Sequence, residues 1–180
     1  LNIFEPRYLS MVRDAIASPH RLIGMIQSYD DADEQGRAGA LYDIGCAGRI
    51  SSFSESDDGR VMITLSGTTR FRRLEDHEVE DGYRLAQVSW ADFEADLAPA
   101  ADTIQRDHLV SVLHDYFKIK GFTADWEQLD GCEDERLVTT LSMICPFDVP
   151  EKQALLEANS LPDRTQLLIA ILEMASHSDS

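Results

Sequence analysis

The chain has 180 residues, of which 43% are hydrophobic, and 33 acidic against 16 basic side chains give a formal net charge of −17. The length suits one larger domain or a small domain with an appendage, and the apolar fraction supports a real core. No run approaches the roughly 18 consecutive apolar residues of a membrane span, so no membrane partner is expected.

The charge is unevenly spread. Residues 1–73 hold 9 Lys+Arg against 10 Asp+Glu, and residues 74–180 hold 7 against 23. The second part repels phosphate backbones and argues against nucleic acid as a partner. Leu1-Asn2-Ile3-Phe4 opens the chain without Met, which reads as a fragment whose start lies upstream; no signal peptide is visible. Cys46, Cys132 and Cys145 form no CxxC and cannot all pair, so buried thiols in a reducing, cytoplasmic compartment are expected.

Pro6 suits the first turn of a helix to about Ala17, with Tyr8, Val12, Ala15 and Ile16 on one face. Leu22 to Ile26 reads as a buried strand, and the polar, Gly-rich residues 29–40 as a loop. Strand character returns from Leu41 to Glu55, where Gly45 and Gly48 suggest bulges or a strong bend. Asp57-Asp58-Gly59 signals a hairpin turn into a strand over Arg60–Leu74. A further strand covers Tyr83–Trp90, with Arg84, Ala86, Val88 and Trp90 alternating against Tyr83, Leu85, Gln87 and Ser89. Long bent antiparallel strands at this spacing predict a small closed or half-closed barrel.

Ala95–Asp102 reads as a linker, after which the period turns helical. Thr103–Lys120 places Leu109, Val112, Leu113, Tyr116 and Phe117 together, and Gly121 closes the helix. Thr123 caps a short helix through Leu129, and Glu133–Ile144 forms another, stopped by Cys145-Pro146. Asp148-Val149-Pro150-Glu151 resembles a capping box for a helix to about Ala158. Ser160-Leu161-Pro162-Asp163 opens a last one, with Leu167, Leu168, Ile171, Leu172 and Met174 apolar and a frayed tail from Ser176. The fold class expected is α+β: a bent antiparallel barrel with one early helix over residues 1–95, then a helical bundle over 96–180 docked on it.

No catalytic constellation appears. A phosphate-binding P-loop needs GxxxxGK[ST], and none of Lys118, Lys120 and Lys152 follows a Gly or precedes Ser or Thr. GxGxxG, GxSxG and HExxH are absent. His20, His77, His108, His114 and His177 are scattered, and His108 and His114 stand about 120° apart on their helix, poor for chelation. Asp107 and His114 share a face, where a solvated ion pair is the ordinary reading. Asp57-Asp58 and Glu133-Asp134-Glu135 serve turn and helix-dipole roles. No catalytic residue, metal or cofactor is therefore expected. The local basic cluster is Arg70-Phe71-Arg72-Arg73; it could contact an anion or acidic peptide, but a cross-strand charge pair or a contact with the acidic helical region is the ordinary reading.

Leu1-Asn2-Ile3-Phe4-Glu5-Pro6-Arg7-Tyr8 resembles the L-x-I-F-E-P-R-Y opening of the Lon protease N-terminal domain. Leu22–Met25, Leu41–Ile50 (which includes Arg49) and Ile63–Phe71 resemble the next family blocks in order. Ser142–Phe147 with Glu151-Lys152-Gln153 is similar to stand-alone bacterial members, which lack the ATPase and Ser–Lys peptidase domains. The resemblance implies a PUA-like barrel, a helical subdomain and recruitment of protein or unfolded peptide clients, with a protease or chaperone as further partner. The family usually has a preceding strand, in keeping with a fragment. Binding candidates are Glu5, Arg7, Tyr8, Arg49, Arg70 and Phe71, the first three also having a purely structural reading. An RNA-binding PUA-like domain and a hydrolase with a site between the two parts are the alternatives.

Overall fold

The computed structural model describes residues 1–29, 39–57, 59–79, 82–98 and 103–177. The expected loop over residues 29–40 and the polar tail therefore lie largely outside them. The chain divides into two compact units, Leu1–Pro99 and Ala100–Ser180.

In the first unit, α1 (Pro6–Ala17) begins with Pro6 in its first turn and Glu5 in extended conformation at the N-cap. Ser18 ends it: its N–H reaches the Asp14 and Ala15 carbonyls, and its hydroxyl donates to Ala15 and accepts from the Arg21 N–H. Arg21, at φ 53°, turns the chain into the sheet. Val12 is buried with Ile3, Ile23, Ile50 and Ile63, whereas Tyr8, expected on the buried face, is exposed.

The sheet comprises β1 (Asn2–Ile3), β2 (Leu22–Met25), β3 (Ile44–Glu55), β4 (Val61–Glu78) and β5 (Arg84–Ser89), all antiparallel. Its order is β1-β4-β3-β2, with β5 also on β4. β4 runs past the expected end at Leu74 because its second half has β5 to pair with. The register shifts between Ala47 and Gly48, between Ile50 and Ser52, and between Arg73 and Glu75. Gly48 thus marks an irregularity. Gly45 answers to packing instead: a Cβ there would lie 2.5 Å from Phe71 Cζ and 2.6 Å from the Met25 carbonyl oxygen.

The expected barrel is not closed among the described residues. β4 uses both edges, but β2 pairs only β3 and β5 pairs only β4, so no ladder joins the ends.

Of the expected linker Ala95–Asp102, residues 99–102 lie outside the described residues, and its first residues belong to a structured segment. Residues Ala91–Leu97 form a 3-10 segment tied to β4. Asp96 accepts from Arg70 Nε (2.9 Å), Nη2 (2.7 Å) and backbone N–H (2.9 Å), and Asp92 accepts from Arg72 Nε (2.8 Å). Phe93 is buried, 4.7 Å beneath the Arg70 guanidinium. Composition reads as a linker from Ala95 because alanines dominate; Asp96, with Asp92 and Phe93 just before it, holds Ala91–Leu97 to β4 instead.

The second unit is helical: α2 (Arg106–Lys120), α3 (Trp126–Asp130), α4 (Asp134–Ile144), α5 (Val149–Glu157) and α6 (Leu161–His177). α6 packs against α2, α4 and α5. Leu109, Leu113, Tyr116, Leu137, Leu141, Leu168 and Leu172 are among its buried core. α2 starts later than Thr103. Arg106, its first residue, pairs with Asp134 (2.5 Å) and donates to the Leu129 and Asp130 carbonyls, satisfying the end of α3. Asp125 caps α3 in place of Thr123, accepting from the Gln128 N–H. The Asp148–Glu151 capping box is complete, and Ser160 Oγ accepts from the Asp163 N–H. Met174 is exposed, because it lies about 200° round the helix from buried Leu172. His114 stacks on Trp126 at 3.5 Å and has no ion pair with Asp107.

Cys145 is buried, while Cys46 and Cys132 are half-buried. Burial pushes the Cys145 thiol up to about 11, against a smaller opposing pull from Lys152. The folded state therefore holds this proton to higher pH than the unfolded chain does. Its contribution to stability is full below the ordinary thiol pKa of 9.0 and declines as pH rises toward 11. Urea titrations from pH 8 to 11 should show that decline, and Cys145→Ala should flatten it; an unchanged slope would refute the assignment.

Candidate functional site

A cavity of about 400 Å³ opens within the first unit between α1, β2 and β5. Phe71 of β4 and Trp90, just past β5, meet edge-to-face in its wall with centroids 6.0 Å apart. The ring of Phe71 lies over β2 and β3 because both strands carry glycine beneath it, Gly24 and Gly45. Leu22, Ile23 and Ile26 line one side, Ala86 and Val88 another, and Met11 and Ala15 of α1 complete it.

The polar members of the lining are tied to one another. Tyr83 OH donates to Asp14 Oδ2 (2.5 Å), fastening the β4–β5 hairpin to α1. Asp76 accepts from Arg73 Nη1 (2.6 Å) and Arg84 Nη1 (3.4 Å), and Arg73 also reaches Asp43 (3.3 Å). The basic stretch of β4 is thus matched by carboxylates along its length. Among the described residues every buried side-chain nitrogen or oxygen has a partner. Among them, no three His, Cys, Asp or Glu groups gather as metal ligands.

The sequence-predicted residues fall in four places. Glu5, Arg7 and Tyr8 form one corner: Arg7 Nη2 lies 2.8 Å from Glu5 Oε2, and the guanidinium sits 4.6 Å over the Tyr8 ring. A Cβ at Gly82, in the hairpin turn, would contact Arg7 Cβ at 3.6 Å, so this corner adjoins the hairpin that bounds the cavity. Phe71 lines the cavity itself. Arg70 is buried against Asp96 and Phe93, with the bonding pattern of a structural anchor. Arg49 is exposed on β3, in register with Leu22 and Ser66.

Asp14, Tyr83 and Trp90 were not singled out as site residues by sequence. The alternation of Arg84, Ala86, Val88 and Trp90 was the available signal, since all four line the cavity. Alternation reveals a shared face without saying what it faces.

The cavity is mainly apolar, and the polar side chains around it are hydrogen-bonded to one another. The chain belongs to the ATP-dependent protease La (Lon) substrate-binding domain family, whose profile matches residues 1–174. The Lon protease of Azorhizobium caulinodans is 25% identical over 145 residues, 79% of this chain and 17% of that protein. The chain thus spans a small part of that relative's length. A Lon N-terminal domain protein from Xanthomonas campestris shares the fold at TM-score 0.64 and 22% identity, covering 94% of this chain and 86% of the other. The N-terminal domain of Mycobacterium avium complex Lon protease aligns at TM-score 0.56 and 15% identity, over 96% and 89%. These likenesses establish an α+β fold with an antiparallel sheet and helices. Among the described residues no helix is long and apolar enough to cross a membrane.

Proposed function

We propose that this chain is a non-catalytic recognition module that holds unfolded segments of protein clients in the cytoplasm and presents them to a protease or chaperone. The cavity between α1, β2 and β5 carries the reading: it offers an aromatic and aliphatic lining of a size suited to one or two apolar side chains. Phe71 and Trp90 make the contact, and the neighbouring Arg7–Tyr8 corner extends the surface. Family membership supports substrate binding, and the net charge of −17 disfavours RNA.

The test fills the cavity. Ala86 is exposed on β5 at the cavity, so Ala86→Trp should occupy it without disturbing the core. Fluorescence anisotropy with labelled, reduced and carboxymethylated α-lactalbumin, a permanently unfolded probe, should show about a tenfold weaker Kd, equivalent to ~1.4 kcal/mol. Equal affinity of the folded variant would refute the site. Arg7→Ala with Tyr8→Ala should weaken the same probe if the corner takes part, and unchanged binding would restrict the site to the cavity.

A further inference from the structure

We infer that Asp96 is a positioning residue of the cavity: through Arg70 and Phe93 it sets where the Trp90 ring stands, although it lies outside the lining itself. The inference rests on the cavity being the substrate site and assigns what aims its aromatic wall.

Trp90 sits at the bend where β5 gives way to the 3-10 segment Ala91–Leu97, and it is held from both sides. Before it, Ser89 pairs with Arg72 in the β4–β5 ladder. After it, the N–H of buried Phe93 donates to the Trp90 carbonyl (2.9 Å). Phe93 is in turn fixed by β4: Thr69 Oγ1 donates to its carbonyl (3.4 Å), and the Arg70 guanidinium lies over its ring. Asp96 closes the arrangement by accepting from the Arg70 side chain and from the Arg70 backbone N–H.

β4 thus reaches Trp90 by two routes. Consecutive residues of a strand face opposite sides of a sheet. Arg70 therefore grips the 3-10 segment, while Phe71 meets the Trp90 ring in the cavity wall, with 75° between the ring planes. Trp90 keeps 42% of its surface exposed, so burial does not by itself fix the ring. The bonds to Asp96 do, because hydrogen bonds are directional and these hold the backbone that carries Trp90.

Two replacements separate positioning from stability. Arg70→Met with Asp96→Leu exchanges the ion pair for apolar contact, which holds the segment without fixing its angle. Asp96→Asn keeps an oxygen where Oδ2 accepts from the Arg70 N–H and Nε, and leaves the guanidinium without its countercharge. The first variant should be nearly as stable as the wild type, yet bind reduced, carboxymethylated α-lactalbumin about fivefold more weakly, the scale of one displaced aromatic contact. The second should lose stability yet bind, while folded, as the wild type does. Affinities are compared in the cold and without urea, where circular dichroism shows each variant folded. Trp90 emission in a Trp126→Phe background should shift to the red in the first variant and stay in place in the second. If affinity follows stability across the set, or Trp90 emission does not move in the first variant, Asp96 has no positioning role and the cavity stays a substrate site. If the wild type itself fails to bind, the cavity reading falls and this role falls with it.

Discussion

Asp96→Ala should lower the stability of the first unit by about 3–5 kcal/mol, the cost typical of removing one partner from a buried ion pair. Arg70 is 7% exposed, and the Asp96 carboxylate takes three of its hydrogen bonds, one of them from its backbone N–H. Removing that carboxylate leaves a guanidinium in a site built around an anion. The paired replacement Arg70→Met with Asp96→Leu should cost much less, because it removes the charges together. Arg72 and Asp92 offer the control on the same two elements, with side chains 43% and 51% exposed. Asp92→Ala should cost no more than about 1 kcal/mol. Urea denaturation followed by Trp90 fluorescence in a Trp126→Phe background would report the first unit. A loss at Asp96 no larger than at Asp92 would show that burial is not what makes the pair matter.

Gly45→Ala is the second large effect expected, about 3 kcal/mol, at the upper end of ordinary overpacking. Its character separates it from Gly24→Ala. A methyl at residue 24 meets only the Phe71 ring, at 3.2 and 3.3 Å, and a methyl at residue 45 meets that ring and the Met25 carbonyl oxygen. A side chain can turn or be trimmed, whereas a carbonyl held in a β ladder cannot. Phe71→Leu should therefore recover most of the stability lost in Gly24→Ala and little of that lost in Gly45→Ala. Equal recovery in the two double variants would show that β2 shifts to accommodate the methyl.

Much of the architecture is written in short-range patterns. The helix from Pro6 to Ala17, the strand starting near Leu22 and the capping box at Asp148 each depend on residues within a few positions of one another. Where partners are distant in sequence, local reading fails. Asp96 gains its role from Arg70, 26 residues away, and the Tyr83–Asp14 bond spans 69. The same limit applies to the site. Phe71 could be singled out by its place in the basic stretch, but that its ring needs two glycines on two other strands is a fact of register. Tyr8 shows the converse: its spacing from Val12 places it on the apolar stripe, yet it is exposed, with the Arg7 guanidinium over its ring.

The central position of β4 also bears on the order in which the first unit assembles. Its pairings with β3 and β5 are hairpins between consecutive strands, which close short loops at small entropic cost. β1 reaches β4 by pairing Asn2 with Met62 and Ile3 with Val61, and the adjoining Leu1–Ile63 bond spans 62 residues. Contacts that span such a distance form late, because the chain between them must be ordered first. The β3–β4–β5 meander is accordingly expected to form before β1 docks on β4. β2 joins the meander through β3, its neighbour in the chain, so the strand whose docking closes the unit is β1.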